Sequence, residues 1–404
     1  MKIKKIAIIS HHFWPENFLI NEVALKFKKN IKKITVITGL PNYPQGKIYK
    51  NYKNINSIKK EVFKGINIIR FPIIPRKQGG FINILLNYLS FVVNGIYYLS
   101  KLNLKNTFDH IFIYSTSPIT SALVGIYLKK KYKKKITLWI QDLWPESVKS
   151  TGYIKNKFLL FLISILVRYI YNKSDNLVAQ SNAFKKNIKK YSSKKISVVE
   201  SSHFNLDNSK SKIPAEIKKL LVKKFCITFA GNIGKAQSIL TILQTCRMIK
   251  DQKNIHIILI GGGSEIDAVK KYIKKFKLKN ISLFGPYSSG LTLNILKKSS
   301  ASLLTLKKSE IFSLTIPLKF MTYLYAGKPI IVSADGEVAN IAKRNNVGLT
   351  SPAENSFKLK KNIIHLSKLN SKKIYKIKIN CKKLYKKSYD INKQTKKLIK
   401  IMQT

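Results

Sequence analysis

The stretch FAGNIGKAQS, residues 229–238, closes a short apolar run and gathers glycines, a lysine and hydroxyl side chains of the kind that hold phosphate. A P-loop needs four residues between its first glycine and its Gly-Lys pair, followed by Ser or Thr. Only Asn232 and Ile233 separate Gly231 from Gly234-Lys235, and Ala236 follows, so this is not a nucleotide-hydrolase loop. It reads as a tight strand-to-helix turn, with Lys235 open to a solvated role. Outward from it, short apolar runs alternate with longer lysine-rich amphipathic stretches, the pattern of strands and crossover helices in a parallel sheet. IKKIAIIS, ITVITG, INIIRFPI, HIFIYS, ITLWIQ, NLVAQS and ISVVES are the strand candidates of the first half. FCITFAG, IHIILIGGG, ISLFGP, ASLLTL, KPIIVSA and GLTSP are those of the second. The fold class is therefore α/β, with two Rossmann-like parallel-sheet domains. Polar residues 207–219 mark the seam, and the chain beyond Asn355 is helical and basic. In such sheets ligands bind beyond the carboxyl ends of the strands. That rule selects the loops HHFWPE, TGLPNYPQGK, YSTSP, IQDLWPES, AGNIGKAQS, GGGSE, FGPYSS and EIFSLTIPLKF.

The 404 residues suffice for two cores of about 200 residues each. A net charge of +58 would ordinarily point to nucleic acid or an anionic surface. The positive residues are almost all lysine, with arginine only at 70, 76, 168, 247 and 344, and they are spread along the whole chain. Base reading favours the arginine fork and a concentrated patch, so no specific nucleic-acid partner is expected. Diffuse lysines suit an anionic membrane surface, which needs no particular geometry. Cys226, Cys246 and Cys381 are widely separated and match no disulfide or metal pattern, which points to a reducing compartment. The apolar run near the N-terminus is too short for a signal-peptide core and reads as a first buried strand.

Two segments invite a membrane test. Residues 81–100 carry no charge over twenty residues and meet the length criterion for a spanning helix. On a helix, Asn83, Asn87, Ser90 and Asn94 fall on one face, and that polar stripe argues against spanning. Residues 158–171 are too short to cross, contain Arg168 and are flanked by Lys155, Lys157 and Lys173. Either helix suits the bilayer interface, or an ordinary place in the domain.

HHFWPENFLINEVA, TGLPNYPQGKIY, QDLWPESV, FAGNIGKAQS and IPLKFMTYLYAGKPI, in this order over nearly the whole chain, resemble the bacterial family-4 glycosyltransferases, in particular the group that includes WbuB-type L-N-acetylfucosamine transferases of O-antigen and capsule synthesis. The resemblance implies a GT-B fold, two Rossmann-like lobes facing a cleft, with an acceptor-side domain at 1–206, a sugar-nucleotide-binding domain at 207–384 and a last helix, about 385–404, packing back on the first. It implies metal-independent, retaining transfer of a sugar from a nucleoside diphosphate, usually UDP, to a lipid-linked acceptor such as an undecaprenyl-diphosphate oligosaccharide. The expected location is cytoplasmic, at the inner face of the plasma membrane, with no cofactor beyond the UDP-sugar substrate.

A departing UDP needs its growing diphosphate charge stabilised, and without a metal the donors are backbone amides, helix N-termini and cations. Gly231, Asn232, Ile233 and Gly234 open a helix and can offer amides. Pro317 can start the next helix with Lys319 in its first turn, the expected cation. Gln237, together with Asn232, stands where relatives carry a basic pair, and Gly262 belongs to the loop that shapes the nucleotide side. Relatives hold the ribose with the second glutamate of a Glu-x7-Glu pair. Here those positions are Leu314 and Thr322, Glu310 comes too early, and Glu337 is the alternative. In the first domain Asp142 and Glu146 follow a strand, and Asp142 is a candidate to accept the acceptor proton or steady the sugar, or else to cap the next helix. His12 and Glu16 are the next candidates for catalysis or sugar contact, and Asn42 and Tyr43 lie in a turn-rich loop whose tyrosines can pack on a sugar. No metal ligand set is expected. Two other classes remain at this point: a polyanion-binding protein, indifferent to UDP, and a GT-B sugar-nucleotide epimerase.

Overall fold

The computed structural model describes residues 3–77, 79–150, 154, 156–202 and 211–404. The chain forms two compact units, Met1–Phe204 with Ile391–Thr404, and Asn205–Asp390. Residues 207–210 of the expected seam and Lys155 lie outside the described residues.

The first unit carries strands β1 (Lys5–Ser10), β2 (Lys33–Gly39), β3 (Lys59–Phe63), β4 (Ile66–Phe71), β5 (His110–Ser115), β6 (Lys135–Ile140), β7 (Asn176–Ala179) and β8 (Ile196–Val198). Its helices are α1 (Leu19–Phe27), α2 (Phe81–Ser100), α3 (Ala122–Tyr132), α4 (Glu146–Ser150), α5 (Lys157–Lys173) and α6 (Asn182–Ile188). The sheet runs β3-β4-β2-β1-β5-β6-β7-β8, parallel except where β3 pairs antiparallel with β4. Each apolar run proposed from the sequence contains one of these strands; β3 was missed. Its sequence KKEVF alternates in burial and carries lysines, as an edge strand does, so it lacks the continuous apolar signal of the inner strands. Chain order reverses between β1 and β5, which makes the loops after those two strands the topological switch point.

Arg70 on β4 is fully buried, a placement no sequence signal announced. It donates to Glu61 Oε1 on β3, to the Gly39 carbonyl and to the Trp14 carbonyl, tying β3 to the loops that follow β2 and β1.

The second unit has β9 (Phe225–Ala230), β10 (Ile255–Ile260), β11 (Ile281–Phe284), β12 (Ala301–Thr305), β13 (Ile330–Ser333) and β14 (Gly348–Ser351), again one strand in each expected run. Its helices are α7 (Ala215–Lys223), α8 (Ile239–Met248), α9 (Ile266–Lys275), α10 (Ser289–Lys298), α11 (Glu310–Leu314), α12 (Leu318–Ala326), α13 (Glu337–Arg344), α14 (Ser356–Ser367) and α15 (Ser371–Leu384). The all-parallel order β11-β10-β9-β12-β13-β14 reverses between β9 and β12, and AGNIGKAQS is the loop after β9. Strand residues alternate between two cores: Ile258 and Leu304 pack with α10 and α12, while Phe229 and Ile257 pack with α8 and α14. The three cysteines are free and buried. The last helix, α16 (Ile391–Gln403), buries Leu398 and Met402 in the core formed by β1, β2 and α1 of the first unit.

Candidate active site

In the second unit the opening loop is laced to the glycine-rich loop after β10. The Gly231 amide donates to the Ile260 carbonyl (2.9 Å), the Ile233 amide to Gly262 (2.8 Å), and the Glu265 amide back to Ile233 (3.0 Å). This lacing needs glycine: a Cβ on Gly261, at φ +148°, would stand 1.9 Å from the Gly231 carbonyl oxygen, and one on Gly263 would stand 2.4 Å from that of Ile233. Gly262 thus backs the loop after β9. The expectation that four successive amides face a diphosphate fails for Gly231 and Ile233, whose N–H groups are spent in this lacing. The Asn232 and Gly234 amides make no hydrogen bond to the described residues. Lys235 is exposed, as a solvated lysine would be.

Lys319 comes to the same loop from α12. Pro317 is the residue before the helix, no side chain caps its first turn, and Lys319 is its second residue. Its Nζ donates to Gln237 Oε1 at 2.7 Å and lies 3.8 Å from the centroid of the Phe229 ring. It is also close enough to Gly231 that a Cβ there would stand 3.2 Å from Nζ. One turn on, fully buried Tyr323 accepts a hydrogen bond from the Ala230 amide (2.9 Å) and donates to the Ala230 carbonyl (3.2 Å). Tyr323 therefore locks α12 to the end of β9 and sets where Lys319 reaches. Neither Tyr323 nor Phe229 was singled out in the sequence; the pairing crosses 93 residues and leaves no local signal. Burial lowers the Lys319 pKa to about 7, and no carboxylate pairs with it among the described residues.

Thr322 is half-buried on α12, one turn after Lys319, and its hydroxyl leans on the Leu318 carbonyl at 3.4 Å. Glu337 is the first residue of α13, after Gly336 at φ +77°. A Cβ on Gly336 would stand 2.0 Å from the Ser313 carbonyl oxygen, so the turn before Glu337 is pressed against α11. Leu314, the last residue of α11, and Glu337 therefore lie on neighbouring turns.

In the first unit, the loop after β1 supplies a buried pair. His12 Nδ1 lies 3.0 Å from Glu16 Oε2, with the imidazole stacked on Phe18 at a 4.6 Å centroid distance. Glu16 Oε1 accepts the amides of Asn42 (2.9 Å) and Tyr43 (2.7 Å). An ionised carboxylate only accepts, so Nδ1 carries a proton and a neutral ring has its lone pair on Nε2, which makes no hydrogen bond to the described residues. The expectation of sugar contact is therefore corrected for Glu16 and Asn42. Glu16 is consumed in holding the loop, and Asn42 is fully buried with its side chain on Leu40 and Arg76 backbone. Tyr43 stays 40% exposed beside the His12 ring, itself only 2% exposed, so Tyr43 is the open member of this cluster and His12 keeps only Nε2 for a further hydrogen bond.

Asp142, after β6, is taken up by its own loop. It accepts from the Ser117 hydroxyl, from Ser147 and from the Leu143 amide, and Trp144 Nε1 donates to the same Ser117 at 3.0 Å. Burial raises its pKa, and these hydrogen bonds only partly oppose the rise. Through Ser117 this carboxylate ties the loop after β6 to the loop after β5. Glu146 Oε1 accepts from Asn187 and Tyr191, both at 2.9 Å, while its buried Oε2 has no partner among the described residues. Among the described residues no group of three His, Cys, Asp or Glu side chains could hold a metal ion.

Comparison with known proteins agrees with this architecture. Residues 212–384 match the family "Glycosyl transferases group 1". The probable glycosyltransferase WbjE of Pseudomonas aeruginosa is 23% identical over 278 residues, 67% of this chain and 69% of that protein. Among solved structures, HepE of Anabaena in complex with UDP aligns with a TM-score of 0.68 at 14% identity over 99% of both chains. A glycosyltransferase from Rickettsia africae aligns with a TM-score of 0.70 at 17% identity, over 99% of this chain and 97% of that one. At these identities the structural likeness is one of fold. The chain has the GT-B fold, and residues 212–384, within its second unit, match the group 1 glycosyl transferases.

Proposed function

We propose that the protein transfers a sugar from a UDP-linked donor to a lipid-linked oligosaccharide, with the donor diphosphate held by the loop after β9 and by Lys319. The observation that carries this reading is Lys319 itself, an ammonium with no carboxylate partner among the described residues, held beside Gly231 by Gln237 and the Phe229 ring. As the bond from sugar to diphosphate breaks, negative charge grows on the leaving phosphate. A cation already fixed there stabilises that charge with little rearrangement. The Asn232 and Gly234 amides supply the neutral donors, and Thr322 or Glu337 holds the ribose. Support for UDP comes from the HepE complex, a distant relative in fold that holds that nucleotide.

The five-motif resemblance supports an N-acetylated deoxy amino sugar such as L-FucNAc as the donor sugar, and an undecaprenyl-diphosphate-linked acceptor in O-antigen or capsule synthesis at the cytoplasmic face of the membrane. A donor screen with UDP-L-FucNAc, UDP-GlcNAc and UDP-glucose, using lipid-diphosphate acceptors, tests it. Transfer at least tenfold faster from UDP-L-FucNAc supports the assignment, and equal or faster transfer from UDP-glucose removes it.

On the acceptor side His12 is the residue we assign to a sugar hydroxyl, through Nε2. Glu16→Gln gives a direct check. The amide oxygen can keep the Asn42 and Tyr43 amides, while its NH2 group now donates toward Nδ1 and moves the ring proton to Nε2. Turnover is expected to fall about 10- to 100-fold with UDP affinity unchanged, as lost hydrogen bonding of about 1.5–3 kcal/mol would give. Unchanged turnover in Glu16→Gln and in His12→Ala would remove His12 from the site.

A further inference from the structure

The polar stripe of α2 faces inward. Asn87 donates to the Ile74 carbonyl (2.6 Å) and meets His11 Nε2 (2.9 Å), Ser90 accepts the Ile74 amide (2.9 Å), and Asn94 donates to the Pro72 carbonyl (2.9 Å). These side chains satisfy the backbone that leaves β4, where no strand continues to do so. Ile82, Leu85, Leu86, Leu89, Val93 and Tyr97 point outward, with Ile82 69% and Val93 63% exposed. Helix α5 presents a second apolar stripe through Phe158, Leu159, Phe161, Leu162, Ile165 and Tyr169, with Phe158 65% exposed. Each helix connects strands that step the same way along the sheet, so right-handed crossovers place α2, α3 and α5 on one face, with α3 packed against both neighbours.

Lysines gather where these helices end. A cleft of 540 Å³ is lined by Lys129, Lys130, Lys133, Lys134, Lys135 and Lys173, with Asp175 and Tyr169. A neighbouring cleft of 610 Å³ is lined by Lys101, Lys105, Lys131 and Lys133. Asp175 is the one acidic side chain lining these clefts, and Lys129 pairs with it at 2.6 Å.

We propose that the α2–α5 face of the first unit is a membrane-docking surface, its apolar stripes entering the acyl boundary of an anionic bilayer and its lysine clefts taking the headgroup phosphates. Apolar side chains bordered by lysine are the combination that binds such an interface. A second copy of this chain fits poorly, because it would bring one lysine cluster against another in a protein with 76 basic and 18 acidic residues. Helix α2 is long and apolar enough to cross a membrane, but its inward hydrogen bonds hold it along the unit. This surface does not depend on the identity of the donor.

The test is flotation of the full-length protein with phosphatidylcholine vesicles containing or lacking 30% phosphatidylglycerol, at low and high salt. The variants are Leu85→Glu/Leu89→Glu/Val93→Glu, Phe158→Glu/Phe161→Glu, and Lys101→Glu/Lys105→Glu/Lys133→Glu, each checked for folding by thermal melting. The expected result is binding to anionic vesicles that partly survives high salt and drops at least tenfold in each variant that melts like the parent. Binding abolished by salt yet unaffected by the two apolar variants would overturn the proposal in favour of bulk charge. No binding, together with an oligomer in solution that the apolar variants dissociate, would assign the face to a second copy instead.

Discussion

Replacing Lys319 by alanine is expected to lower turnover about 10²- to 10³-fold, the usual cost of removing one fixed donor from a developing anion. Folding should not suffer. A lysine whose pKa falls from its ordinary value to about 7 through burial opposes folding below its unfolded pKa, so removing it leaves the melting temperature unchanged or higher. The same shift sets a pH dependence. Below about pH 7 the free protein already carries the ammonium, and a bound diphosphate keeps it charged. As pH rises above 7 the free protein loses that proton, binding has to take one up, and affinity falls by at most tenfold per pH unit. UDP itself ionises near about pH 6, so the decline is read cleanly between pH 7 and 9. Lys319→Arg keeps its charge throughout and should flatten the profile even if its wider fork lowers turnover. A profile that stays sloped in Lys319→Arg would place the titrating group elsewhere.

Glu61→Ala is expected to be the most damaging single change to the first unit. Arg70 is fully buried, and among the described residues Glu61 is its only carboxylate partner. Removing one partner of a buried pair leaves an uncompensated charge, at a cost of about 3–5 kcal/mol. The Tyr52 hydroxyl, which donates to both Glu61 oxygens at 3.1 and 3.2 Å, loses its acceptor as well. The effect should extend to function, because Arg70 also holds the Trp14 and Gly39 carbonyls at the bases of the loops that carry His12 and Tyr43. Urea denaturation followed by near-ultraviolet dichroism would read the loss. Replacing both residues by leucine should not restore stability, since those two carbonyls would still lack their donor. A drop under 1 kcal/mol for Glu61→Ala would mean that water reaches Arg70.

Much of the architecture was legible because parallel strands buried on both faces read as continuous apolar runs. Helices between such strands, and the reversal of chain order at β9, then select the loop that the opening glycines had already suggested. What stayed hidden is of three kinds. Long-range locks such as Tyr323 on Ala230, or Arg70 on Trp14, join distant residues and leave no periodic trace. Backbone amides cannot be counted as free until their neighbours are placed, and the glycine-rich loop after β10 takes two of the four expected. The direction of an amphipathic stripe is the third. Asn83, Asn87, Ser90 and Asn94 were correctly read as one face of α2, but only the unpaired backbone beyond β4 decides that this face turns inward. Glu16 belongs with these, since its exposed-looking motif hides a carboxylate engaged by His12 and by the loop after β2.

Whether a UDP diphosphate sits on the loop after β9 with Lys319 as its cation is decided by calorimetric titration of the parent and Lys319→Ala with UDP, GDP and ADP at moderate salt. The expected result is UDP-selective binding, accompanied above pH 7 by proton uptake from buffer, with both features lost in Lys319→Ala. Equal weak binding of all three nucleotides, fading with salt and untouched by the substitution, would contradict it.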